Sequence, residues 1–224
     1  MTTVASKHAV RKRIEDVGII PCIRGVSPDD AEFAAGALTE AGIPIVEITM
    51  TVPGAVTVIR RLVKAFPDAV IGAGSVLDRV TARACVDAGA MFLSSPCFDQ
   101  PVVEVGVKAG MLVLAGALTA TEVNTAWNAG ADLIKIFPCG HVGAANYIRS
   151  LRGPFPDVPF VAAGGIHQST AGDFVRAGVT AIGIGTELVP KQAVEERQVE
   201  WIAELARRFL SLVSETRADL ASRV

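Results

Sequence analysis

A closed (β/α)8 barrel preceded by one additional helix is the fold this sequence predicts, and three observations predict it. Short apolar, β-rich runs recur near 19–24, 45–49, 69–74, 91–95, 112–116, 132–137, 159–163 and 181–185, with helical patterns between them. Ala-Gly pairs at 41–42, 88–89, 109–110, 129–130 and 177–178 each follow a helical pattern and precede an apolar run; glycine there supplies a left-handed helix cap. The pairs are spaced by one or two βα units, and Phe-Pro-Asp turns at 66–68 and 155–157 fall where a pair is missing. Eight units in 224 residues, 50% of them hydrophobic, fit a single domain over 1–224.

Taken in order, the first helix is capped by Ser6 and carries Val10, Ile14 and Val17 on one face, with Arg11-Lys12-Arg13 as its solvated face. Strand one ends in Arg24. Ser27-Pro28-Asp29-Asp30 opens the next helix with a capping serine, a first-turn proline and acids at the positive end of the dipole. Strand two, Ile45-Val46-Glu47-Ile48-Thr49, has a carboxylate in the middle of a β-branched run. Strand three closes on Gly72-Ala73-Gly74-Ser75. That glycine pair invites an open doubly wound sheet with a dinucleotide, but position 77 is leucine and the required acidic residue is missing, so it reads as a close backbone approach to a ligand. Strand four runs into Ser95-Pro96 and strand five toward Thr119. Strand six, Leu133-Ile134-Lys135-Ile136-Phe137-Pro138, buries a lysine. Strands seven and eight end in Gly164-Gly165 and Gly183-Ile184-Gly185-Thr186. A last helix, about 193–217, carries Trp201, Leu205, Phe209 and Leu212 at helical spacing.

Lys135 is the most informative of these residues. An unpaired ammonium in an apolar strand is costly, and the usual relief is a depressed pKa that leaves a neutral amine, a nucleophile for carbonyls. The structural alternative is an ion pair with Glu47. Barrel active sites lie at the C-terminal strand ends, which collects Arg24, Glu47, Thr49, Ser75, Pro96, Thr119, Lys135, Phe137, Gly164, Gly165, Gly185 and Thr186. Glycine turns after strands seven and eight bind phosphate through backbone N–H groups, so the expected substrate carries one.

A formal charge of −2 without a basic cluster beyond residues 11–13 argues against nucleic acid. No apolar stretch is long enough to span a bilayer and the N-terminus lacks a signal-type segment, so a cytoplasmic protein is expected. Cys22, Cys85, Cys97 and Cys139 lack C-x-x-C spacing, and no metal ligand cluster is evident; the cysteines read as reduced, small apolar residues.

Along nearly its whole length the chain resembles the 2-keto-3-deoxy-6-phosphogluconate (KDPG) aldolases and their 4-hydroxy-2-oxoglutarate (KHG) aldolase relatives. The resemblance is carried by Val46-Glu47-Ile48-Thr49, Gly72-Ala73-Gly74-Ser75, Ser95-Pro96, Thr119-Ala120-Thr121-Glu122, Lys135-Ile136-Phe137-Pro138, Gly164-Gly165-Ile166 and Leu188-Val189-Pro190. It implies a class I aldolase without cofactor or metal, with Lys135 as the Schiff-base residue, Glu47 as general acid and base, and a homotrimeric assembly. The implied reaction is cleavage of KDPG to pyruvate and D-glyceraldehyde 3-phosphate. KHG or 2-keto-3-deoxy-6-phosphogalactonate cleavage is the alternative within the family. Outside it stand a phosphate-binding isomerase or epimerase, with Glu47 as base, and a non-catalytic sugar-acid-binding protein. Where the family often has arginine this chain has Thr51, and Arg24 looks like the replacement that holds the pyruvyl carboxylate. Ala115 and Ala163 replace a usual proline and threonine, while His141 and Glu187 lie near the rim without an assigned role.

Overall fold

The structure, a computed structural model, describes residues 6–223. Its elements are α1 (Lys7–Val17), β1 (Ile19–Ile23), α2 (Pro28–Glu40), β2 (Ile45–Thr49), α3 (Ala55–Ala65) and β3 (Val70–Gly74). Then come α4 (Arg79–Asp87), β4 (Phe92–Ser94), α5 (Gln100–Lys108), β5 (Leu112–Ala117), α6 (Ala120–Asn128) and β6 (Leu133–Ile136). A 3-10 turn at Cys139–His141 precedes α7 (Ala144–Arg152), β7 (Phe160–Ala163), α8 (Gln168–Arg176), β8 (Ala181–Ile184), α9 (Lys191–Glu195) and α10 (Val199–Ala221). All strand pairings are parallel and follow chain order, and β1 pairs with β8, Ile19 opposite Ile182, to close the barrel.

The helix signals act as their chemistry dictates. Ser6 accepts a hydrogen bond from the Ala9 N–H at 3.2 Å, and Ser27 one from the Asp30 N–H at 3.2 Å. The glycine of each Ala-Gly pair has positive φ, from 69° at Gly110 to 94° at Gly42.

Two apolar layers result. The larger lies between the strands and their helices. The smaller fills the lower barrel, where Ile20, Ile45, Val70, Phe92, Leu112 and Leu133 pack together with Val10 and Ile14 of α1. The first helix is therefore a plug in the N-terminal mouth, with Ile14 fully buried. Gly72 belongs to this layer: a side chain there would overlap the Phe92 ring.

The single last helix expected over 193–217 is two. The chain breaks at Arg197, φ 53°, whose guanidinium lies 2.9 Å from Asp30 Oδ1 and stacks 4.8 Å from the Phe33 ring centroid. That anchorage turns α10 so that Ile202, Ala206, Phe209 and Val213 are its buried stripe, while Trp201 stays 37% exposed. Small Ala206 sits in that buried stripe, on the face α10 turns to α8 and α2.

Candidate active site

Glu47 and Lys135 rise from β2 and β6 into the upper barrel, where both are buried. Gly74 makes room for this, because a Cβ there would overlap the Glu47 carboxylate. The Gly72-Ala73-Gly74 run expected to approach a ligand instead admits two side chains, Phe92 below and Glu47 above. Lys135 Nζ lies 3.4 Å from Glu47 Oε1 and 3.0 Å from the Ser94 hydroxyl oxygen, with the Phe137 ring centroid at 5.9 Å.

Burial pushes the lysine pKa down, but the Glu47 carboxylate beside it pulls the other way and the balance lies above the ordinary value. The Glu47 side chain therefore favours the charged form of the lysine over the neutral amine expected from the apolar strand. The strand pattern could not show this partner, which is 88 residues away. Cys22, opposite Glu47 in the β1–β2 register, is held as a thiol by burial and by the same carboxylate.

A cavity of about 310 Å³ opens above this pair, a volume suited to a small molecule. Glu47, Thr49 and Lys135 line its depth, with Ser75, Pro96 and Phe137 on the walls. Arg24, Gly164, Gly165, Gly185 and Thr186 lie toward the mouth. The Arg24 guanidinium covers Gly185, its Nε 3.2 Å from where a Cβ would stand. Thr51 bridges loops, accepting from the Gly25 N–H at 3.2 Å and sharing a 2.7 Å hydrogen bond with Thr49.

Thr119 does not join them. It caps α6, accepting from the Glu122 N–H at 3.3 Å, while the Glu122 carboxylate accepts from the Leu118 and Thr119 N–H groups at 2.8 Å. The expected substrate contact is a capping box, because the chain bends outward into the helix after Ala117.

Two residues of the site escaped the sequence reading. Cys22, which lines the cavity, and Ser94, which is buried against Lys135 Nζ, precede Arg24 and Pro96 by two, so strand alternation was the available signal. At the rim His167 Nδ1 lies 3.2 Å from Glu187 Oε1, and His141 Nε2 lies 3.4 Å from where a Gly165 Cβ would stand. Among the described residues no group of three or more His, Cys, Asp or Glu is arranged to hold a metal, and no helix is long and apolar enough to cross a membrane.

Comparison with known proteins meets this geometry from another side. The chain is 33% identical over 197 residues to the 2-dehydro-3-deoxy-6-phosphogalactonate aldolase of Escherichia coli (strain K12), covering 87% of this chain and 96% of that one. It is 30% identical over 190 residues to the KHG/KDPG aldolase of the same organism, covering 84% and 89%. The crystal structure of KDPG aldolase from Legionella pneumophila, with pyruvate captured at low pH as a covalent carbinolamine intermediate, superposes with a TM-score of 0.79 at 27% identity, over 88% of this chain and 96% of that one. Residues 10–205 match the family described as KDPG and KHG aldolase. An eight-stranded barrel with this match over most of its length, and with relatives of the same kind along nearly all of theirs, is an aldolase and belongs to the KDPG and KHG aldolase family.

Proposed function

We propose that this aldolase cleaves KDPG to pyruvate and D-glyceraldehyde 3-phosphate through a Schiff base on Lys135, with Glu47 moving the protons. The observation that carries the reading is the buried Lys135–Glu47 pair at the base of a cavity whose mouth is lined by glycine turns. Lys135 passes a proton to Glu47 and its freed amine adds to the C2 ketone. Glu47 returns that proton to the carbinolamine oxygen and then relays a second from nitrogen to it, so that the oxygen leaves as water and the iminium, with one proton left on nitrogen, becomes the electron sink. Glu47 then takes the C4 hydroxyl proton as the C3–C4 bond breaks, releases it to C3 of the enamine, and hydrolysis frees pyruvate. Arg24 holds the pyruvyl carboxylate. Gly164, Gly165, Gly185 and Thr186 receive the phosphate through N–H groups at the start of α8 and of the loop after β8.

Cleavage of the galactonate epimer is the second reading. What favours it is Ala163, which lines the cavity at the end of β7 without a hydroxyl to read the C4 configuration, together with the galactonate relative's 33% identity. The same resemblance supports a homotrimer, which light scattering of the purified protein tests, and a cytoplasmic location, which cell fractionation tests.

Borohydride with pyruvate should place a reduced pyruvyl adduct on the peptide containing Lys135, and Lys135→Arg should abolish it. An adduct elsewhere would sink the imine mechanism. Initial rates on the gluconate and galactonate epimers and on KHG decide the substrate. Preference for KHG over both phosphorylated acids would remove the phosphate from the reading.

A further inference from the structure

We infer that Ser94 is a further catalytic residue, the dedicated acceptor of the iminium proton on Lys135; this rests on the Schiff-base reading above. Ser94 ends β4, is fully buried, and reaches past the neighbouring strand to place its hydroxyl oxygen 3.0 Å from Lys135 Nζ. That is closer than Glu47 Oε1 at 3.4 Å. An ammonium donates only, so the hydroxyl accepts. β5 lies between β4 and β6, so the contact is made by side chains and is no part of the strand ladder. An apolar side chain would fill this interior position at lower desolvation cost, and a buried hydroxyl is expected only where it has a partner.

Proton accounting shows why a second acceptor matters. The ammonium starts with three N–H bonds. Forming the iminium moves two of these protons onto the ketone oxygen, which departs as water, and leaves one on nitrogen. If Glu47 alone faced that N–H, the carboxylate would be tied to nitrogen while it must also take the C4 hydroxyl proton and reprotonate C3. With Ser94 accepting the remaining N–H, Glu47 is free to move between nitrogen, C4 oxygen and C3. The hydroxyl also fixes rotation about the Cε–Nζ bond, so that the amine lone pair faces the cavity instead of the β4 wall.

Exchange of the pyruvate methyl protons with deuterium reports the steps after imine formation, because it needs proton removal from C3 of the iminium. Borohydride trapping reports imine formation alone. In Ser94→Ala, trapping at saturating pyruvate should stay within about threefold of wild type while exchange and cleavage fall about tenfold or more, as expected for loss of a hydrogen bond to a charged group. Ser94→Cys, similar in size and a weak acceptor, should behave like Ser94→Ala, and Ser94→Thr should recover exchange. Wild-type exchange per imine formed in both Ser94→Ala and Ser94→Cys would overturn the assignment. So would an equal defect in Ser94→Ala and Ser94→Thr, which would make the position one of packing. If wild-type enzyme itself gave no adduct on Lys135, the imine reading would fail and the Ser94 assignment with it, a result distinct from normal trapping with normal exchange.

Discussion

Lys135 stands where two influences oppose each other, burial against its charge and the Glu47 carboxylate for it. Removing the carboxylate leaves burial unopposed. In Glu47→Gln the pH at which pyruvate trapping becomes half-maximal should therefore move down relative to wild type, because a smaller share of the lysine is protonated at any given pH. Cleavage should nevertheless fall about 100-fold or more, since the amide cannot take the C4 proton. An inflection that moves up, or near-normal cleavage, would reduce Glu47 to a structural partner. Arg24→Ala should weaken pyruvate capture by roughly 1.5 to 3 kcal/mol, read from the pyruvate dependence of trapping; unchanged affinity would assign the guanidinium to the Gly185 side of the mouth. Charge is what made Glu47 and Lys135 legible, because either is conspicuous within a β-branched run. Ser94 and Cys22 are small and uncharged, and resemble ordinary core residues until their neighbours are known. Gly165 was legible as a turn, yet Gly140 Cα would stand 3.1 Å from its Cβ, so packing as well as any anion demands glycine there.

At the scale of the element, caps and breaks decide how the strand ends are presented. Thr119 and Glu122 start α6, and Thr119→Ala should lower stability by about 1 kcal/mol in urea titration while leaving kcat and KM unchanged. A kinetic defect would return Thr119 to the site. The Leu118 and Thr119 N–H groups hold the Glu122 carboxyl below its usual pKa. Its contribution is therefore complete above the unfolded-state value near about 4.3 and is lost as the pH falls through the lower folded value. The stability gap between wild type and Glu122→Gln should close on acidification and stay constant on the alkaline side. Strand positions, the Ser27 cap and the Ala-Gly stops could be read from sequence because each rests on a local rule. The break at Arg197 could not, since it depends on Asp30 and Phe33 in a helix far along the chain.

Across the whole molecule the barrel has an open end and a stoppered one. Ile14, fully buried beneath the strands, contributes to global stability without approaching the cavity. Ile14→Ala should cost about 2 to 4 kcal/mol in unfolding free energy, with turnover per folded molecule unchanged; altered turnover at full folding would mean that the plug couples to the site. Its apolar face was legible in Val10, Ile14 and Val17, but its place was not, because periodicity names a buried face and never the surface that buries it. The stopper has a consequence for traffic. With the pyruvyl group tethered to Lys135 at the depth of the cavity, as proposed, two products cannot depart independently: the aldehyde half would stand between that group and the mouth, so it must leave first. Run in the synthetic direction, the order inverts, with the keto acid loading before any aldehyde arrives. The donor is then judged by the tight inner walls and the acceptor by the wider threshold, so such a catalyst should be strict about the one and lenient about the other.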